Sequence, residues 1–205
     1  MKKVFRFFAM AAFVFGMTAM VACGDDNEGE NGGNGGNGGG NTENLPTTLT
    51  EDFTNGIPAG WTNIDADGDG YAWQDWLNDQ NGQRMEGDGV AMSCSYLNGV
   101  GALEPDNYLV TPKLYIEEGA TLSYEVGAVD ADYYRDHYSV LVGNVENGVF
   151  KAVGTLVNED VPSPNTTTRT FSLSDYKGQS LSIAFRHFDC IDMYIMTIDN
   201  IKVTK

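Results

Sequence analysis

Residues 45–205 contain no stretch of twelve residues that keeps an amphipathic helical period without a helix-breaking residue. Asn-Gly pairs begin at positions 55, 81, 98 and 147, and prolines stand at 58, 105, 112, 162 and 164. Between these turn signals lie short segments in which apolar and polar residues alternate, as in the run of Leu122, Tyr124 and Val126. Alternation with a period of two indicates β-strands rather than helices.

The predicted strands are short and numerous. We predict strands at Trp61–Ile64, Val90–Ser95, Tyr108–Val110, Thr121–Val129, His137–Gly143, Phe150–Val157, Arg169–Leu173, Ser180–Phe188 and Tyr194–Val203. About ten short strands in about 160 residues suggest two sheets packed face to face. The predicted fold class is therefore all-β, a jelly-roll-like β-sandwich over residues 45–205.

The segment before this domain, residues 1–22, has the features of a lipoprotein signal peptide. Two lysines and an arginine among the first six residues precede an uncharged run of sixteen residues that ends at Ala22. Such a run is shorter than most membrane-spanning helices and fits a signal peptide. The sequence from Met20 to Cys23 resembles a lipobox, in which Cys23 is acylated. A plain secretory peptide with an unmodified Cys23 is the alternative.

Residues 23–44 are predicted to be a disordered tether. After Cys23 this segment contains Asn-Gly-Gly repeats and five acidic residues, and it has no basic and no aromatic residue. Such a composition cannot bury enough apolar surface to fold. An acidic tract directly after a lipidated cysteine resembles the export tag of some Gram-negative surface lipoproteins. We therefore expect an outer-membrane lipoprotein exposed at the cell surface, with a spacer that faces the periplasm as the alternative.

The net charge of −17 argues against several functions. A nucleic-acid-binding protein needs a basic face, and an acidic surface disfavours adsorption to anionic lipid. We therefore expect no nucleic-acid partner, membrane contact through the lipid anchor alone, and a monomer. The sequence contains none of the common hydrolase, metalloprotease or phosphate-binding motifs. His187 lies in a strand pattern typical of a structural histidine, and the chain is predicted not to be an enzyme.

One motif carries chemistry, and it runs from Asp65 to Gly70. Asp65, Asp67 and Asp69 alternate with other residues, and two glycines allow the chain to turn tightly around a hard cation. The twelfth position from Asp65 is Trp76 rather than a glutamate, so the motif does not predict an EF-hand. It predicts a structural Ca²⁺ loop between strands, with an ion-free turn rich in aspartate as the alternative.

Three further carboxylates are candidates to complete the calcium shell. The first and last strands of such sandwiches commonly lie side by side. Acidic residues near both ends of the domain could therefore reach one ion. These candidates are Glu51, Asp52 and Asp199.

Cys94 and Cys190 are the cysteines that remain once Cys23 is acylated. In an exported protein such a pair often forms a disulfide, which we predict here, and two buried free thiols are the alternative.

Aromatic residues near acidic segments are candidate ligand-binding residues, because rings beside polar groups suit sugar stacking or protein contacts. Packing at the edge of the core is the alternative. The candidates are Trp73, Trp76, Tyr133 and Tyr134.

Several longer motifs occur in order along residues 50–204. They are the segment 52–70 followed by Trp73, then Pro105–Pro112, Asp130–Tyr138, Ala184–Phe188 and Ile198–Ile201. Together they resemble the cleaved-adhesin domain of gingipain and hemagglutinin adhesin regions, within the wider choice-of-anchor J group. The resemblance implies a jelly-roll β-sandwich with bound calcium that adheres to host proteins or glycans. A carbohydrate-binding accessory lipoprotein is the alternative function.

Overall fold

The computed structural model of the protein describes residues 45–76 and 89–205. The predicted signal peptide over 1–22, the tether over 23–44 and Cys23 lie outside the described residues. Within the two described ranges, no helix is both long and apolar enough to cross a membrane.

The described residues form fourteen strands and one short 3₁₀-helix, Ser174–Tyr176. The strands are β1 (Leu49–Glu51), β2 (Thr62–Asp65), β3 (Gln74–Trp76), β4 (Val90–Cys94), β5 (Tyr96–Leu97), β6 (Gly101–Ala102), β7 (Asp106–Val110), β8 (Leu114–Tyr115), β9 (Thr121–Ala128), β10 (His137–Glu146), β11 (Val149–Asp160), β12 (Thr167–Ser172), β13 (Ser180–Phe188) and β14 (Ile195–Thr204). Each of the nine predicted strands corresponds to one of these, with ends that differ by up to three residues.

The first sheet has the spatial order β12-β9-β14-β4-β3, and all of its pairs are antiparallel. One edge of β14 pairs with β9. The opposite edge pairs with β4 over 195–198 and with β1 over 201–203. The first and last strands of the domain are therefore neighbours, as the sequence analysis expected.

The second sheet has the order β11-β10-β13-β7-β2, again with antiparallel pairs. β8 extends it by pairing with the start of β13. β5 and β6 form a separate two-stranded ribbon. The two large sheets make the β-sandwich that the alternation of the sequence predicts.

The main core contains the inward-facing residues of both sheets. Leu122, Tyr124 and Val126 of β9 are fully buried, as are Val140 and Val142 of β10. A smaller apolar cluster forms around Leu141 and Ala184. Because side chains alternate along a strand, Leu141 points away from its two valine neighbours and joins this second cluster.

Two tyrosines bring hydroxyl groups into the core. The hydroxyls of Tyr124 and Tyr138 are 3.1 Å apart, and Tyr138 donates to Oε1 of Glu159 at 3.0 Å. Glu159 also pairs with Arg169 on β12. Burial is the main cause that raises the pKa of Tyr138 to about 12. The chain of contacts satisfies buried polar groups and joins strands of the two sheets.

Candidate functional site

The acidic loop, residues 65–70, begins at the last residue of β2. Gly68 and Gly70 have φ angles of +78° and +88°, in a region that residues with a Cβ rarely adopt. These two glycines turn the chain tightly, so that the aspartate side chains before and after Gly68 face one another.

Backbone N–H groups organise the carboxylates of the acidic loop. Asp65 accepts from Gly68 and Gly70, at 2.8 Å each. Asp67 accepts from the N–H of Asp69 at 2.9 Å, and Asp69 accepts from that of Tyr71 at 2.7 Å. A carboxylate oxygen has two lone-pair sites, so each oxygen that accepts one N–H can still bind a cation.

The geometry of the acidic loop fits a calcium ion. Asp65, Asp67 and Asp69 each offer a carboxylate oxygen, and these oxygens lie within 4.8 Å of one another. Partial burial raises the pKa of Asp69, and the charges of Asp67 and Asp65 raise it further. A divalent cation would relieve this repulsion, and oxygen donors are the ligands that Ca²⁺ prefers.

The structure does not bring the other predicted calcium ligands to this loop. Among the described residues, the cluster of carboxylates that could hold a metal at the loop consists of Asp65, Asp67 and Asp69 alone. Glu51 instead accepts from the N–H of Phe53 at 2.8 Å, and Asp199 accepts from that of Asn200. The adjacency of β1 and β14 was expected correctly, but the acidic loop follows β2, which belongs to the other sheet.

Asp52 also forms a local contact rather than a contact with the acidic loop. Its Oδ1 accepts from the N–H of Thr54 at 3.0 Å, and this hydrogen bond lowers the pKa of Asp52. The structure thus does not group Glu51, Asp52 or Asp199 with the three aspartates of the acidic loop, contrary to the expectation of one shared calcium shell.

Trp73 is a core residue, so its prediction as a ligand-binding aromatic is wrong. Its side chain is 2% exposed, and its indole N–H donates to the carbonyl of Asn107 at 3.1 Å. The backbone of Trp76 belongs to β3, whereas its side chain lies outside what the structure describes. Tyr134 is half-buried and packs against the main core.

Tyr133 occupies the kind of place the sequence analysis predicted. It is 54% exposed, and Asp130 Oδ1 holds its loop by accepting from the N–H groups of Asp132 and Tyr133. The side chain of Tyr133 lines an open cleft of about 490 Å³, the aromatic cleft. The cleft is lined by Tyr96, Asn98, Asp130, Tyr133, Asp192, Met193 and Tyr194.

The aromatic cleft contains residues that the sequence analysis did not identify. The rings of Tyr96 and Tyr194 have centroids 6.5 Å apart, and the amide of Asn98 donates to the hydroxyl of Tyr194 at 3.3 Å. Tyr194 lies within a predicted strand and Asn98 in a predicted turn, so no local pattern distinguishes them from structural residues. Only the fold brings them beside Tyr133.

The predicted disulfide is not formed. Both Cys94 and Cys190 are free cysteines in the structure. Cys94 packs in a small apolar cluster with Leu103 and Ile195. The thiol of Cys190 instead contacts Nε2 of His187 at 3.1 Å. The two cysteines thus contact different neighbours. A disulfide would need their side chains to point at one another.

Comparison with known proteins identifies the domain. The family model of the Cleaved Adhesin Domain matches residues 46–203. Hemagglutinin A of Porphyromonas gingivalis is 35% identical over 173 residues, which cover 77% of this chain and 8% of that protein. Gingipain R1 of the same organism is 36% identical over 169 residues, which cover 77% of this chain and 10% of that protein. The matches span a tenth or less of each relative.

Solved structures agree with this assignment. The K1 cleaved adhesin domain of Lys-gingipain from P. gingivalis has 34% identity and a TM-score of 0.66, over 77% of this chain and 98% of that one. The K3 domain of the same protein has 34% identity and a TM-score of 0.67, over 76% and 97% of the two chains. Both confirm the predicted β-sandwich, and the chain belongs to the cleaved adhesin domain family.

Proposed function

We propose that this protein is a surface lipoprotein whose cleaved adhesin domain binds host proteins or glycans at the aromatic cleft. The observation that carries the proposal is the exposed side chain of Tyr133 on the wall of that cleft, in a domain of an adhesin family. The role is one of binding rather than catalysis.

The composition of the aromatic cleft suits a ligand with both flat apolar and hydroxylated surfaces. Tyr133 and Tyr194 offer ring faces, while Asp130, Asp192 and Asn98 offer oxygen and nitrogen atoms. Exposed tyrosines supply large contact areas at a low cost in side-chain entropy, both for sugars and for protein loops. The carboxylates orient hydroxyl or amide donors of the ligand.

The acidic loop is proposed to bind one structural Ca²⁺ through Asp65, Asp67 and Asp69. The ion would neutralise three neighbouring carboxylates and hold the connection that follows β2. Backbone carbonyls and water would supply the remaining oxygen ligands that calcium requires. The chemistry of the ion is purely structural in this proposal.

The anchor is proposed to be an acyl group on Cys23, and residues 24–44 the flexible link to the domain. A Gly-rich coil of this length has a mean end-to-end distance of roughly 25 Å.

The proposal is tested by incubating the purified full chain with two arrays, one of glycans and one of host matrix and serum proteins. We expect reproducible capture in at least one array, which would also give the ligand class. The alternative, a carbohydrate-binding accessory lipoprotein, is favoured by the carboxylates and amide beside the tyrosines of the cleft. Capture by nutrient polysaccharides but by no host ligand would select this alternative, and no capture in either array would refute both.

A further inference from the structure

A buried polar cluster unrelated to the acidic loop or the aromatic cleft lies around His187. Asp136 directly precedes β10, His187 belongs to β13, and both side chains are 0% exposed. Cys190 follows β13 in the next connection and is half-buried. The Nε2 atom of His187 lies 3.1 Å from Oδ1 of Asp136 and 3.1 Å from Sγ of Cys190.

This arrangement is not a nucleophile–base–acid triad. In a triad the nucleophile and the acid contact opposite ring nitrogens of the histidine. Here both Asp136 and Cys190 contact Nε2, so Cys190 is not placed as the nucleophile of a triad. Ser93 Oγ contacts the opposite nitrogen, Nδ1, at 2.7 Å, but Ser93 is only 1% exposed, so its hydroxyl is closed to a substrate. A single ring nitrogen cannot donate its one hydrogen fully to both a carboxylate and a sulfur.

The same arrangement has the form of a metal centre. The three ligand atoms lie within 4.8 Å of one another. Tetrahedral zinc with ordinary bond lengths places pairs of nitrogen, oxygen and sulfur ligands about 3.5 Å apart. With Nδ1 donating to Ser93, the lone pair of Nε2 faces the other two ligands, which is the usual orientation of a metal-binding histidine.

A second observation points to the same ligand. The Oδ2 atom of Asp136 is fully buried and has no hydrogen-bond partner among the described residues. Its Oδ1 atom accepts from the hydroxyl of Ser95 at 2.5 Å. A buried carboxylate oxygen without a partner is costly, and a bound cation would remove the cost.

We propose that Asp136, His187 and Cys190 form a binding site for Zn²⁺. A thiolate and an imidazole select zinc over calcium, so this site and the acidic loop would hold different ions. On binding, the Cys190 thiol gives its proton to solvent and its sulfur bonds the metal. The ion would fasten the connection after β13 to the start of β10.

Solvent can supply the fourth ligand. Cys190 lines an open cleft of about 470 Å³ together with Glu104, Pro105, Asp189 and Ile191. The metal would therefore enter from this cleft and keep one position for water. Such a position distinguishes it from a structural site that is closed by four protein ligands.

The experiment titrates Co²⁺, as a coloured substitute for zinc, into the purified full chain after treatment with a chelator and a thiol reductant. We expect a thiolate-to-cobalt charge-transfer band and the strong visible absorption of tetrahedral cobalt. Cys190→Ala should lose the band, and Cys94→Ala, which removes the other cysteine of the domain, should keep it. Cys190→Ser repeats the test if the alanine variant does not fold.

Competition with a fluorescent zinc chelator gives a second measurement. Ser93→Ala should weaken zinc binding roughly 10- to 100-fold, because the serine orients the histidine from outside the coordination sphere. Asp175→Asn, which removes an exposed carboxylate from the 3₁₀-helix, should leave zinc affinity unchanged. Absence of the charge-transfer band in the wild type, or an undiminished band in Cys190→Ala, would overturn the proposal.

Discussion

The carboxylate of Asp67 accepts a hydrogen bond from the backbone N–H of Asp106, the first residue of β7. The side chain of Asp106 forms a two-point pair with Arg186 of β13, with distances of 2.7 and 2.9 Å. The guanidinium of Arg186 also lies over the ring of Phe188, 3.9 Å from its centroid. The acidic loop is thereby tied to two neighbouring strands of the second sheet, so an ion bound in the loop would stabilise more than the loop itself.

Calcium is expected to raise the melting temperature of the protein, and Asp67→Asn should remove the effect. A ligand that binds only the folded state at a hundredfold excess over its Kd contributes about 2.7 kcal/mol. For a domain of this size each kcal/mol shifts the melting temperature by roughly 2 to 4 °C, so the expected rise is about 5 to 11 °C. Differential scanning calorimetry with calcium and with EDTA measures it.

The control for the calcium prediction is Asp175→Asn, which removes an exposed carboxylate from the 3₁₀-helix. It should keep the full response to calcium. Equal melting temperatures with calcium and with EDTA, in protein shown to be free of metal at the start, would contradict a calcium-binding acidic loop.

Stability should fall at alkaline pH, and Tyr138 is one of the buried groups responsible for the fall. Burial raises its pKa to about 12, and the charge of Glu159 adds to the effect, whereas an unfolded tyrosine has a pKa near 10. Between these values the unfolded state releases a proton that the folded state retains. The free energy of unfolding therefore decreases with rising pH, by at most about 1.4 kcal/mol per pH unit for this group.

Urea denaturation at a series of pH values measures the slope of the free energy of unfolding against pH. The series starts at about pH 9, one unit below the pKa of a free tyrosine. Tyr138→Phe should flatten it, and Tyr133→Phe, which changes an exposed ring, should not. Identical slopes in the wild type and Tyr138→Phe would show that another group governs the loss of stability.

Both cysteines of the domain should be recovered as free thiols. Burial, followed by the charge of Asp136, raises the pKa of Cys94 to about 11. Its thiolate fraction near neutral pH is therefore about a hundredfold lower than that of a free cysteine, and native alkylation should be slow. Alkylation after unfolding without reductant, followed by peptide mass spectrometry, should find Cys94 and Cys190 modified. Recovery of the two peptides joined by a disulfide would contradict the structure.

Cys23→Ser should abolish lipid attachment. If the segment ending at Ala22 is a lipoprotein signal peptide, the cysteine sulfur is the acylated atom, and serine cannot replace it. Metabolic labelling with a fatty-acid analogue should mark the wild type and the control Cys94→Ser alike. Label on the Cys23→Ser variant would show that the lipid is attached at another residue, and no label on the wild type would show that there is no acyl anchor.

The sequence predicts most of the fold because alternation records which face of a strand is buried. Ser180–Phe188 was predicted with the bounds that the structure shows, and Leu122, Tyr124 and Val126 are all fully buried. Strands of two or three residues, such as Leu49–Glu51 and Leu114–Tyr115, escaped prediction because they are too short to show a period. These short segments are strands because they pair with the longer strands β14 and β13.

The sites were harder to predict because they depend on the directions in which side chains point, which the sequence does not record. Asp65, Asp67 and Asp69 converge because they are near in sequence, so their grouping was predicted correctly. Trp73 also follows the acidic loop closely, but its indole turns inward to the carbonyl of Asn107. Cys190 contacts His187 rather than Cys94. This contact depends on how β13 and the connection after it fold.

The aromatic cleft is the proposed ligand site of this cleaved adhesin domain. The decisive measurement is the dissociation constant of the strongest array ligand for Tyr133→Ala and for Val153→Ala, two side chains of comparable exposure. Val153 lies on β11, outside the cleft. We predict that Tyr133→Ala weakens binding by about tenfold or more, as expected for an aromatic anchor, and that Val153→Ala leaves it unchanged. Equal affinities for the two variants and the wild type would contradict the claim.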